Sequence, residues 1–186
     1  MALVVDAHHH FWDPSRATYP WMTDALASIR RRFGPEDLRP LLAANGVDRT
    51  VLVQTISSLG ETREFLATAA ANEFIAGVVG WVDLTAPDLA EQLAALRAGP
   101  GGAKLVGIRH QVHDEPDPEW LLRRDVRRGL AVQGLLGLIT FWVADQALRA
   151  GVGGFGGLVF DLDALPVKHP AHPTATRTLT TKRRMR

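Results

Sequence analysis

Ala2-Leu3-Val4-Val5-Asp6-Ala7-His8-His9-His10-Phe11-Trp12-Asp13-Pro14 is the stretch from which the rest of the chain can be read. Ala2 to Val5 is a short apolar run that reads as a buried strand ending at Asp6. The polar, histidine-rich text follows at once. In parallel α/β folds, ligands gather at the C-terminal ends of strands. On an extended segment, residues two apart share a side. His8 and His10 are therefore expected to point into one site, with His9 turned away. Two imidazoles so placed suit a divalent metal such as Zn²⁺. They equally suit hydrogen bonding to a substrate carboxylate or carbonyl.

Further along the chain, short apolar runs alternate with amphipathic ones. Pro35-Glu36-Asp37-Leu38 opens a helix, with Pro in the first turn and acids at the positive end of its dipole. Asn45-Gly46 is its stop signal. Thr50 to Gln54 reads as a second strand, Ile75 to Val82 as a third and Lys104 to Arg109 as a fourth. Glu61 to Asn72 has helical spacing in Phe65, Leu66 and Ala69. Pro87 to Arg97 places Leu89, Leu93 and Leu96 on one helical face. Alternation of strand and helix implies βαβ units and a parallel sheet. Continuous apolar strands imply a sheet covered on both faces. A closed barrel and an open doubly wound sheet both satisfy the pattern.

Composition narrows the class. The 186 residues are 46% hydrophobic and 22% charged, with a net charge of +1 and no cysteine. Disulfides, thiolate metal sites and a cysteine nucleophile are thereby excluded. The longest apolar stretch, Leu135 to Ala144, falls short of the ~20 residues of a membrane helix. The N-terminus has no signal-peptide pattern, so a cytoplasmic protein without a membrane partner is expected. Residues 163–186 hold six Lys/Arg and one acid, leaving 15 basic and 19 acidic residues elsewhere, a net of −4. This basic end has no aromatics for base stacking. It reads as a disordered tail, 163–186, rather than a nucleic-acid site, behind one domain over 1–162.

Asp6 to Pro14 resembles the opening of the amidohydrolase-related lactonases, the metal-dependent-hydrolase group that includes L-fuconolactonase and 2-pyrone-4,6-dicarboxylate lactonase. Three further segments resemble that group in order. They are Val51-Leu52-Val53-Gln54 with Glu61-Thr62, Gly80-Trp81-Val82-Asp83-Leu84, and Gly107-Ile108-Arg109-His110 with Asp117-Pro118-Glu119-Trp120-Leu121. The likeness covers residues 1 to about 131. It implies a (β/α)8 TIM-type barrel, here its N-terminal part, and hydrolysis of a sugar lactone or related cyclic ester. It also implies that His8 and His10 are the strand-one histidine pair, which holds a metal in some members while others work without one. Arg109 would bind a substrate carboxylate or polarise the lactone carbonyl, work suited to a guanidinium fork. Trp12, Gln54 and Trp81 would wall the pocket, although core packing accounts for Trp81 equally well. His110 could assist, yet as a strand neighbour of Arg109 it should face the other way.

The group also places a histidine near strand five and an acid after strand eight, the latter as general base. No matching acidic segment occurs. A full barrel takes about 250 residues. Residues 1–162 give room for four or five β/α units, with Gly157 to Leu162 resembling strand five. Gly151 to Gly157 carries five glycines, and His169 and His172 lie in the tail. The expectation is a truncated and inactive lactonase-type chain. The alternative is a non-catalytic fragment that binds a carboxylated ligand or associates with its own copy through open sheet edges.

Overall fold

A computed structural model describes residues 3–142. Five parallel strands lie side by side in sequence order: β1 (Val5–His9), β2 (Arg49–Val53), β3 (Ile75–Gly80), β4 (Leu105–His110) and β5 (Ile139–Trp142). Helices α1 (Pro35–Asn45), α2 (Leu59–Ala71), α3 (Leu89–Ala98) and α4 (Arg124–Leu135) connect successive strands. A parallel sheet that adds each new strand beside the last, without reversal, is the construction of a β/α barrel wall; a doubly wound sheet reverses its order at a switch point. The two architectures left open by periodicity are separated here by strand order.

The two faces differ as a barrel wall requires. One face packs on the helices through Leu52, Ile75, Val78 and Ile108, met by Leu66 and Leu93 from α2 and α3. The other carries a smaller cluster of Val51, Val53 and Val79, flanked by Val5 and Val106. Both faces of β2 and β3 are therefore buried, which is why these strands read as unbroken apolar runs.

Helix ends follow local chemistry. Asp37 accepts from the Gly34 amide at 2.9 Å, and Gly46 closes α1 in the left-handed region at φ 64°. Ser58 caps α2 by accepting from the Glu61 amide at 3.2 Å.

Three differences from the sequence reading matter. Strand β1 was expected as a buried run from Ala2 ending at Asp6; it spans Val5–His9 instead, with Leu3 and Val4 exposed. Between Asp6 and His9 it advances three residues while β2 advances two, from Thr50 to Leu52. This bulge carries the ladder into the histidines. Helix α4 was not anticipated, because its buried positions are Val126, Gly129 and Gln133, only one of which is apolar in the ordinary sense. The strand beside β4 is β5 at Ile139–Trp142, inside the apolar stretch that showed no clear period. The segment Gly157 to Leu162, the Gly-rich 151–157, His169, His172 and the whole of 163–186 lie outside the described residues. Among the described residues no helix is long and apolar enough to cross a membrane.

Candidate active site

His8 and His10 project to one side of β1, and His9 to the other. The Nε2 atoms of His8 and His10 are 3.2 Å apart, with ring centroids at 4.9 Å and planes at 74°. His9 instead pairs its Nε2 with Thr50 Oγ1 at 2.9 Å and packs edge-on to Phe11. His10 Nδ1–H donates to the Val53 carbonyl at 2.8 Å. That bond fixes its tautomer and leaves a bare Nε2, to which the Nε2–H of a neutral His8 donates.

Both rings titrate below the ordinary histidine range. For His8 the causes are partial enclosure first and the nearby Arg109 charge second, with Asp6 opposing. For His10 burial comes first; its bond to Val53 opposes, and His8 and Arg109 add to the lowering. At neutral pH both are uncharged, the form that ligates a metal or hydrogen-bonds a carbonyl.

Arg109 is brought to the same place from β4. It is half-buried, and burial is the main cause that lowers its pKa. Its Nη1 donates to the Gln54 carbonyl at 3.3 Å. Among the described residues it makes no salt bridge, in contrast to Arg16, Arg30, Arg31, Arg32 and Arg123. A half-buried guanidinium with spare N–H groups is an anion or carbonyl receptor by its chemistry.

Gln54 is fully buried. Its Nε2 reaches Gln111 Oε1 at 3.4 Å, while its own Oε1 has no partner among the described residues. Trp81 and His110 form a separate group. Trp81 Nε1 donates to His110 Nδ1 at 3.2 Å, and His110 Nε2 donates to Glu115 at 2.6 Å. The His110 ring stacks on Trp120 at 4.0 Å and 12°. Both ring nitrogens of His110 are thus committed within the protein, and its side chain leaves β4 on the face opposite to Arg109. Gly80 makes the approach of Trp81 feasible. A Cβ there would fall 2.4 Å from the Thr62 methyl, and the Thr62 hydroxyl takes the Trp81 amide at 2.7 Å.

Trp12 is placed elsewhere again. Its Nε1 donates to the Ile29 carbonyl at 3.0 Å, and its backbone bridges Phe33. It lines a cavity of about 280 Å³ with Phe11, Tyr19, Phe33, Arg16 and Arg32. His8, His10 and Arg109 take no part in that cavity.

Two residues that the sequence reading passed over as site residues also stand here. Trp21 Nε1 donates to the Thr55 carbonyl at 3.2 Å, one residue beyond Gln54. The buried Glu61 carboxylate accepts from the amides of Thr55 at 2.9 Å and Ile56 at 3.2 Å. A lone Trp in an irregular segment carries no period, so only the fold exposes its position.

The His8 and His10 nitrogens fit two positions of a metal shell. Their separation of 3.2 Å is that of neighbouring ligands in a tetrahedron with Zn–N bonds of about 2.0–2.1 Å. Among the described residues no group of three or more His, Cys, Asp or Glu side chains gathers there, so the pair supplies part of a ligand set.

Comparison with known proteins gives the family and the fold. The family model described as Amidohydrolase matches residues 5–170. An L-fucono-1,5-lactonase from Burkholderia ambifaria is 42% identical over 121 residues, covering 65% of this chain and 41% of the relative. An L-fucono-1,5-lactonase from Burkholderia multivorans is 35% identical over 172 residues, covering 92% of this chain and 53% of the relative. The chain thus spans about half the length of these curated relatives. A crystal structure of an amidohydrolase from Burkholderia multivorans with bound zinc is similar at a TM-score of 0.73 and 36% identity, over 80% of this chain and 51% of that one. A probable 2-pyrone-4,6-dicarboxylic acid hydrolase from Acinetobacter baumannii, at 16% identity and a TM-score of 0.59, covers 76% of this chain and 49% of that one and shares the fold.

Proposed function

This chain belongs to the amidohydrolase family, and on that premise we propose that it carries the electrophilic half of a site that hydrolyses a lactone, a sugar lactone or related cyclic ester. The observation that carries the reading is the meeting of His8, His10 and Arg109, two neutral imidazoles and a guanidinium without a salt-bridge partner among the described residues. The likeness to two L-fucono-1,5-lactonases supports the substrate class.

Ester hydrolysis needs an electrophile on the carbonyl oxygen and a base on the water. Arg109 supplies N–H donors where negative charge develops, and partial burial strengthens them. His10, held by Val53, presents a bare Nε2 that accepts from His8 and is the atom that would ligate a metal. A divalent ion such as Zn²⁺ held by His8 and His10 would supply Lewis-acid polarisation of the carbonyl. Trp81 and His110, bonded to each other, stand apart from this chemistry.

Among the described residues no carboxylate is hydrogen-bonded to the side chain of His8, His10 or Arg109 to serve as general base beside them. General-base assistance is typically worth about 10²–10⁴-fold. We therefore expect this 186-residue chain to bind lactones and their ring-opened acids through Arg109, yet to hydrolyse lactones at close to the buffer rate. The experiment is a lactonase assay with and without Zn²⁺, beside calorimetric titration of L-fuconate, on wild type, His8→Ala and Arg109→Ala. Robust turnover abolished by both variants would refute the inactive half of the proposal. Binding of L-fuconate indifferent to Arg109→Ala would refute the site itself.

A further inference from the structure

Three consecutive carbonyls at the C-terminal end of β2 each receive a side chain from a different part of the chain. Val53 O accepts from His10 Nδ1 at 2.8 Å, Gln54 O from Arg109 Nη1 at 3.3 Å, and Thr55 O from Trp21 Nε1 at 3.2 Å. His10 comes from the end of β1 and Arg109 from β4. Trp21 comes from the long connection over residues 10–34 between β1 and α1. This connection carries a short 3-10 helix over Asp24–Ile29 and a Trp12–Phe33 bridge. It is tied down by Trp21 on Thr55 and by the ion pair of Arg16 with Glu64.

Two steps of extended chain separate Val53 from Thr55, about 7 Å. The Trp21 indole is therefore tied to a carbonyl one residue beyond the one that holds Arg109 and two beyond the one that holds His10. Its only polar atom is spent on Thr55. Its orientation is further set by edge contacts to Trp12 at 5.7 Å and 89° and to Tyr19 at 5.6 Å and 61°. The residue is half-buried rather than sealed into the core. A fixed indole with its N–H occupied and part of its surface open has one thing left to offer, its apolar π surface.

We infer that Trp21 is a specificity-determining residue of this site, presenting its ring face to the C–H face of a closed hydroxylated lactone ring. The inference rests on the lactone reading above. It adds that the closed ring is recognised by Trp21, whereas the carbonyl or carboxylate end is recognised by Arg109. An open-chain acid has no ring face, so the two contributions separate in one experiment.

The probes are the 1,5-lactam of L-fuconic acid, a closed ring that resists opening, and L-fuconate, its open-chain counterpart. Each is titrated calorimetrically into the 186-residue chain. Trp21→Ala should weaken the lactam about fivefold to tenfold, the worth of one aromatic face, and leave L-fuconate within about twofold. Trp21→Phe keeps a ring face without the N–H and should hold the lactam within about threefold. Trp21→Leu, which keeps bulk without a π face, repeats the test if the alanine variant fails to fold. Arg109→Ala should weaken both probes. Loss of both probes on Arg109→Ala, with lactam affinity indifferent to Trp21→Ala and Trp21→Leu, overturns the role of Trp21 alone. Equal loss in Trp21→Phe and Trp21→Ala overturns it too, by showing that the Thr55 anchor rather than the ring face matters. A wild type that binds neither probe removes the lactone reading and this inference together.

Discussion

At the residue scale, the histidine triplet shows how one backbone parity yields two chemistries. His8 and His10 meet on one side of the strand, whereas His9 is pushed by burial to a pKa of about 4, with Asp6 opposing. Its Nδ1 is buried with no hydrogen-bond partner among the described residues, and only Asp6 and the His10 backbone oppose the lowering. The sign of the stability effect follows. The folded pKa of about 4 lies below the unfolded value of 6.5, so protons bind the unfolded chain better. The contribution is complete above pH 6.5 and is lost as pH falls toward 4, up to about 3 kcal/mol. His8 and His10 act in the same direction. Urea unfolding between pH 7 and pH 5 should show a steeper loss of stability in wild type than in His9→Gln. Identical slopes would mean that His9 is not held neutral by its surroundings.

At the element scale, two contacts decide how helices meet strands. Glu61, in the first turn of α2, accepts from two amides in the connection that follows β2, and also from the Thr55 hydroxyl. Glu61→Ala would leave those amides without a partner in a buried place, a cost of about 2–4 kcal/mol. It would also loosen Thr55, whose carbonyl anchors Trp21. Thermal denaturation should report the loss, and an unchanged midpoint would show that water replaces the carboxylate. Gly129 in α4 is the second case. Helix propensity alone makes alanine about 1 kcal/mol better than glycine. Here a Cβ would lie 2.1 Å from the Leu84 carbonyl oxygen. Gly129→Ala should therefore destabilise the protein, and a raised melting temperature would show that α4 shifts freely. This close approach also explains why α4 is obscure in the sequence. Its buried face is written in Val126, a glycine and Gln133, not in leucines.

At the scale of the whole molecule, burial is greatest in the middle of the sheet. Leu52, Val53, Val78 and Val79 are fully covered, whereas every residue of β1 except the exposed His8 is only half-buried. Native-state hydrogen exchange should protect β2 and β3 amides most and β1 amides less, since local opening follows burial. Uniform protection across β1 to β3 would mean that β1 is covered in solution. The sequence by itself determined the alternation of strands and helices, the buried faces of α2 and α3, the stop at Gly46 and the pairing of His8 with His10. Each of these is a matter of local period, capping or parity, which neighbouring residues decide. Tertiary structure alone decided the rest. The in-order strands that distinguish a barrel wall from a doubly wound sheet depend on which strands pair across the chain. The bulge that carries β1 to His9 depends on the register against β2. The meeting of His10, Arg109 and Trp21 on the carbonyls of Val53, Gln54 and Thr55 joins residues 43, 55 and 34 positions apart, a distance over which no local pattern carries information.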